Sequence, residues 1–110
     1  MAKNELQVLY ETLLDRKEHA EVGSYTAYLY EKGLEKILKK IGEEATEVII
    51  AAMKENNKEE IVNEISDLLY HLFVLMAEKN ITLDDVNNEL EKRSQKSGNL
   101  KPERKPVEKY

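Results

Sequence analysis

Apolar positions recur along this chain at helical spacing, and strand-like alternation is absent throughout. Leu6, Leu9, Tyr10, Leu13 and Leu14 predict a first helix over about 4–19. "EVGSYT" at 21–26 breaks it, and Ser24 is a suitable N-cap for a short helix through Tyr30. Gly33 separates or kinks the next segment. From Leu34 to about Lys54, Leu34, Ile37, Leu38, Ile41, Ala45, Val48 and Ala52 make one continuous face. "KENNKEE" at 54–60 reads as a turn, followed by a fourth helix from about Glu59 to Glu78 and a fifth from a Thr82 cap to about Gln95. The pattern predicts an all-α bundle of about five helices, with residues 1–97 as one domain. Residues 98–110, inside "SGNLKPERKPVEKY", form a charged tail that carries both prolines and has little to bury.

The fourth helix adds a constraint. Ile61, Ile65, Leu68, Leu72 and Met76 are assigned to its core face, yet Tyr70, Phe73 and Val74 point elsewhere. A helix apolar nearly all round needs cover on more than one side. In a chain of 110 residues that cover is most simply a second subunit, so a homodimer is expected. The plainer alternative packs Tyr70 and Phe73 under the first helix or the tail.

Composition removes several classes. The net charge is −5 with basic residues scattered among acids, so no nucleic-acid footprint is present. There is no cysteine, which excludes disulfides and thiolate metal sites, and two histidines are too few for an ordinary structural zinc. The longest apolar run, "LLYHLFVLMA" at 68–77, is too short to span a bilayer, and the N-terminus lacks a signal-peptide core. A reduced, cytoplasmic protein without membrane or nucleic-acid partners is expected.

Candidate chemistry lies in the acids. At about 100° per residue, Glu44 and Glu47 fall roughly 60° apart beside the apolar stripe of the third helix, with Lys40 between them. Glu43 lies further toward solvent. Glu64 and Asp67 of "EISD" repeat the i, i+3 pairing on the fourth helix. Antiparallel packing of the two helices through the short turn would bring four carboxylates to one seam. Such a cluster repels itself, and either takes up protons or captures a cation. An all-oxygen set suits Mg²⁺ or Mn²⁺, which would neutralise a polyphosphate and acidify a water. Lys39 and Lys40 could then pair with phosphate oxygens.

Acids number 22, and an E-E-x-x-E on a helix is usually a solvated face with lysine partners. Two features favour the metal. "EISD" comes one turn before a strongly apolar run, and Gly42 costs roughly 1 kcal/mol against alanine in a helix, as though something approached its backbone. His71 on an apolar helix is ordinarily a satisfied buried histidine, and His19 near a helix end a surface one. Ser24, Tyr25 and Thr26 could contact a ligand, although capping alone explains Ser24.

Three segments, "SYTAYL", "KKIGEEATEVIIAA" and "DLLYHLFVLM", in this order and spacing, resemble phosphoribosyl-ATP pyrophosphatase of histidine biosynthesis. The resemblance runs from about Leu6 to Arg93, and the acidic motifs alone resemble the wider MazG-like all-α nucleotide pyrophosphohydrolases. It implies an intertwined helical homodimer that cleaves phosphoribosyl-ATP between the α and β phosphates, releasing phosphoribosyl-AMP and pyrophosphate. Glu44, Glu47, Glu64 and Asp67 would be the Mg²⁺ ligands, with Mn²⁺ as an alternative ion. Glu43 would assist as an outer group or second-metal ligand. Lys40, with Lys39 or Lys36, would hold phosphates, and Glu47 or Glu43 could take the proton of the attacking water. The product would pass to a cyclohydrolase. Tyr28 departs from the lysine expected at its position, so a phosphate contact there is not implied. Two alternatives stay open: a housecleaning hydrolase of nucleoside triphosphates in the same superfamily, and a non-catalytic helical dimerisation module.

Overall fold

The computed structural model of the chain describes residues 4–95; the tail assigned to 98–110 lies outside them. Five helices follow one another: α1 (Glu5–Glu18), α2 (Tyr25–Lys32), α3 (Leu34–Ala52), α4 (Lys58–Glu78) and α5 (Leu83–Ser94), and no strand occurs among the described residues. The all-α expectation holds, with helix ends within about two residues of those read from the sequence.

The boundaries have local causes. Asn4 and Ser24 each accept a hydrogen bond from the backbone N–H three residues on, and Thr82 and Asp85 form a reciprocal capping box. Gly33 ends α2 and begins α3 at φ 86°, ψ −171°, a region open in practice to glycine alone. A helical residue there would fuse α2 and α3 into one rod. At the α3–α4 turn, the Asn57 side-chain amide donates to the Ala51 carbonyl at 2.9 Å, beside the bond that carbonyl accepts from the Lys54 N–H at 3.3 Å.

α3 and α4 fold back on each other through residues 53–57, and α1 and α2 pack across α4. The core consists of Tyr10 and Leu13 from α1, Leu29 from α2, Ile37 from α3, and Phe73 and Val74 from α4. Burying each such side chain contributes roughly 1.5–3 kcal/mol. The Tyr10 ring meets the Phe73 ring edge-on at 6.0 Å. Polar pins fix the layers: Tyr30 Oη donates to the Leu13 carbonyl at 2.7 Å, and Lys17 Nζ to the Ala77 carbonyl at 2.9 Å.

This arrangement corrects the reading of α4. Its buried side is Phe73, Val74 and Ala77 with half-buried Tyr70, the side the sequence pattern left over. Ile61, Leu68, Leu72 and Met76, assigned to the core face, are half-buried, and Ile65 is exposed. Periodicity cannot choose a side on a helix apolar nearly all round. The contacts of Phe73 with α1 choose it here. Phe73 and Val74 are thus covered inside the chain itself, and the need for a second subunit does not follow from them. Apolar groups remain exposed elsewhere: Leu38, Ile49 and Met53 on or just after α3, and Val62 and Ile65 on α4.

Candidate metal centre

Glu44 lies on α3 within about 20° of the direction of buried Ile37, so its carboxylate leaves the core stripe where α4 passes. Only 14% of its side chain is exposed. On α4, Glu64 and Asp67 are set about 60° apart on the flank next to the buried side. Glu44, Glu64 and Asp67 each offer a carboxylate oxygen, and these three atoms lie within 4.8 Å of one another. Opposite ligands of an octahedral Mg²⁺ at 2.0–2.1 Å stand about 4.2 Å apart, so small side-chain rotations would close this set on the ion. The donor set fits a hard divalent cation.

Its electrostatics point the same way. The Glu64 carboxyl is pushed above its ordinary range, first by partial burial and then by the negative charges of Asp67, Glu47, Glu44 and Glu60. Lys40 reaches Glu43 at 3.0 Å and Glu44 at 3.5 Å. Among the described residues no lysine or arginine is within ion-pair distance of Glu64 or Asp67. Three carboxylates thus share one lysine, itself divided between Glu44 and Glu43, and the cluster carries an excess of negative charge.

The other candidates fall around this centre. Glu47 is exposed on the next direction of α3, outside the three-atom set, though its charge reaches Glu64. Glu43 is exposed; the hydrogen bond from Lys40, helped by the charges of Lys39 and Lys36, holds its carboxyl below the ordinary range. Lys36, Lys39 and Lys40 therefore gather on the Glu43 side of the cluster. Lys36 and Lys32 also place their ammonium groups 6.0 and 5.8 Å from the centre of the Tyr28 ring. No backbone approach explains Gly42: a Cβ there would meet nothing within 4 Å. The tightness read from its cost in a helix is not found among the described residues.

One contact was beyond sequence reasoning. His71 is buried, as its apolar setting implied, and its Nε2 lies 2.9 Å from Tyr25 Oη on α2. The two residues are 46 positions apart, and neither carries a spacing that announces the other.

The sequence pattern of phosphoribosyl-ATP pyrophosphohydrolases matches residues 6–94. The chain belongs to the phosphoribosyl-ATP pyrophosphohydrolase family. It is 56% identical over 109 residues to the phosphoribosyl-ATP pyrophosphatase of Clostridium acetobutylicum, covering 98% of both chains. It is 54% identical over 103 residues to that of Clostridium novyi, covering 94% of this chain and 93% of the relative. A further relative is the histidine biosynthesis bifunctional protein HisIE of Caldanaerobacter subterraneus, 62% identical over 91 residues. That match covers 83% of this chain and 44% of the bifunctional one. Within this phosphoribosyl-ATP pyrophosphohydrolase family member, both acidic motifs and "SYTAYL" fall inside the matched segment.

Proposed function

We propose that the protein hydrolyses phosphoribosyl-ATP to phosphoribosyl-AMP and pyrophosphate, the second step of histidine biosynthesis, with Mg²⁺ or Mn²⁺ held by Glu44, Glu64 and Asp67. The observation that carries this reading is the convergence of those three carboxylates from two helices in a chain of this family. Glu47, about 60° from Glu44 on α3, would be the fourth carboxylate to hold the ion. When bound, the cation neutralises phosphate charge and makes water a better nucleophile.

The chain's own groups supply the rest. Lys40, already between Glu43 and Glu44, is the nearest ammonium to the cluster and turns to a phosphate oxygen of the substrate. Lys39 and Lys36 extend this positive edge and would hold further phosphate oxygens. A carboxylate must accept the proton of the attacking water. Glu43 is weakened for that role because Lys40 stabilises its ionised form. Glu47, exposed beside the cluster, is the better base.

The assembly is a homodimer in this reading, supported by exposed Leu38 and Ile49, with half-buried Ala45 between them, on one stripe of α3. Gly42 lies on that stripe, so the close approach it permits is that of a second copy. The product passes to a cyclohydrolase, an idea supported by the bifunctional relative. Among the described residues no helix is long and apolar enough to cross a membrane, and a cytoplasmic location suits a biosynthetic enzyme.

Pyrophosphate release from phosphoribosyl-ATP with Mg²⁺ tests the reaction. Turnover is expected to vanish in Glu44→Ala and Asp67→Ala while both keep the helical content and melting profile of the native chain. Full activity in either variant contradicts the ligand assignment. Rates on dCTP or dUTP above that on phosphoribosyl-ATP would instead place the protein among housecleaning hydrolases.

A further inference from the structure

We infer that Tyr25 and His71 are positioning residues for the acidic cluster, a hydrogen-bonded pair that braces the turn of α4 carrying Asp67 against α2. The inference rests on the cation-binding reading above. His71 follows Asp67 by four residues and shares its flank of α4, between the directions of Glu64 and Asp67. Its Nδ1 lies 2.7 Å from the Asp67 backbone carbonyl. A carbonyl only accepts, so Nδ1 carries a proton, and Nε2 is hydrogen-bonded to Tyr25 Oη at 2.9 Å. Both ring nitrogens are committed, at a residue only 5% exposed. Rotation of the ring would break two part-buried hydrogen bonds at once.

The tyrosine is held as firmly. Its ring stacks with Tyr28 at 6.1 Å and 25°, and with Tyr70 at 6.1 Å and 27°. It meets the His71 ring edge-on at 5.7 Å. The adjacent Thr26 and Tyr70 hydroxyls are hydrogen-bonded to each other, a second link between α2 and α4. The first turn of α2 is therefore locked to α4 one helical turn from Asp67.

Stability alone does not call for this pair, because apolar side chains of similar volume would fill the space without needing hydrogen-bond partners. A polar brace adds direction. It fixes the rotation of α4 about its axis, and that rotation sets whether Glu64 and Asp67 face Glu44. A carboxylate set 4.8 Å across has little slack for a small ion.

The test is the Mg²⁺ activation curve of pyrophosphate release from phosphoribosyl-ATP, at saturating substrate and well below the melting temperature. The native protein, Tyr25→Phe, His71→Leu and His71→Asn are compared. Tyr25→Phe keeps the stacked ring and removes the hydroxyl. It is expected to raise the half-saturating Mg²⁺ concentration about tenfold, with kcat at saturating Mg²⁺ within about twofold of native. His71→Leu is expected to shift the midpoint at least as far. His71→Asn, whose amide can still donate to the Asp67 carbonyl, is expected to recover part of it. A packing role would lower the melting temperature and the active fraction but leave the midpoint in place. An unchanged midpoint in Tyr25→Phe, with the native protein responding to Mg²⁺, overturns the inference. A native protein with no saturable Mg²⁺ response overturns the cation-binding reading itself.

Discussion

Glu44 and Gly33 show how much single positions decide. Glu44 takes a direction on α3 that would ordinarily carry an aliphatic side chain, and so brings a charge to the edge of the core where two acids of α4 arrive. Moved one residue along, it would point about 100° away and leave the cluster. Gly33 works through the backbone. Its φ of 86° with ψ near −171° lets α2 stop and α3 start without a linker, and the α2–α3 angle sets where Tyr25 stands relative to Lys40 and Glu44. Gly33→Ala has room for its methyl group but not the backbone conformation. A loss of about 1–3 kcal/mol is expected, read as a lower urea midpoint with unchanged slope. A midpoint equal to that of the native chain would show that the α2–α3 junction relaxes at no cost.

The elements were unequally legible in the sequence. α1, α3 and α5 follow from spacing and caps because each has one apolar stripe, or a cap sequence such as Thr82 to Asp85. α4 was legible in extent but not in orientation. Its apolar residues nearly encircle it, and only the tertiary contacts of Phe73 with Tyr10 and of His71 with Tyr25 select the buried side. The acids were legible as two i, i+3 pairs because helical geometry fixes their mutual angles. Their meeting across α3 and α4 depended on the antiparallel return through residues 53–57. Glu47 stands about 60° from Glu44 on α3, close on a helical wheel, and its oxygen lies outside the set of three. The Tyr25–His71 pair was illegible because a contact across 46 residues is written in no local pattern.

At the scale of the whole molecule, the protomer leaves apolar surface on the outer side of the α3–α4 pair, with Ile49 at 61% and Met53 at 81% exposure. In the homodimer proposed above, a second copy of the same face covers this surface. Light scattering is expected to give a mass near twice 12.8 kDa for the native chain, and half that for Ile49→Glu, whose charge is tolerated in the free protomer. A native mass of 12.8 kDa would leave the stripe unexplained. The central claim, that two helices of one chain jointly hold a divalent ion, is tested most directly by calorimetric titration of Mn²⁺ into substrate-free protein. Saturable binding is expected in the native chain and its loss in Glu64→Gln and Asp67→Asn, each of which keeps side-chain volume while removing charge. Isotherms in those variants indistinguishable from the native one would contradict it.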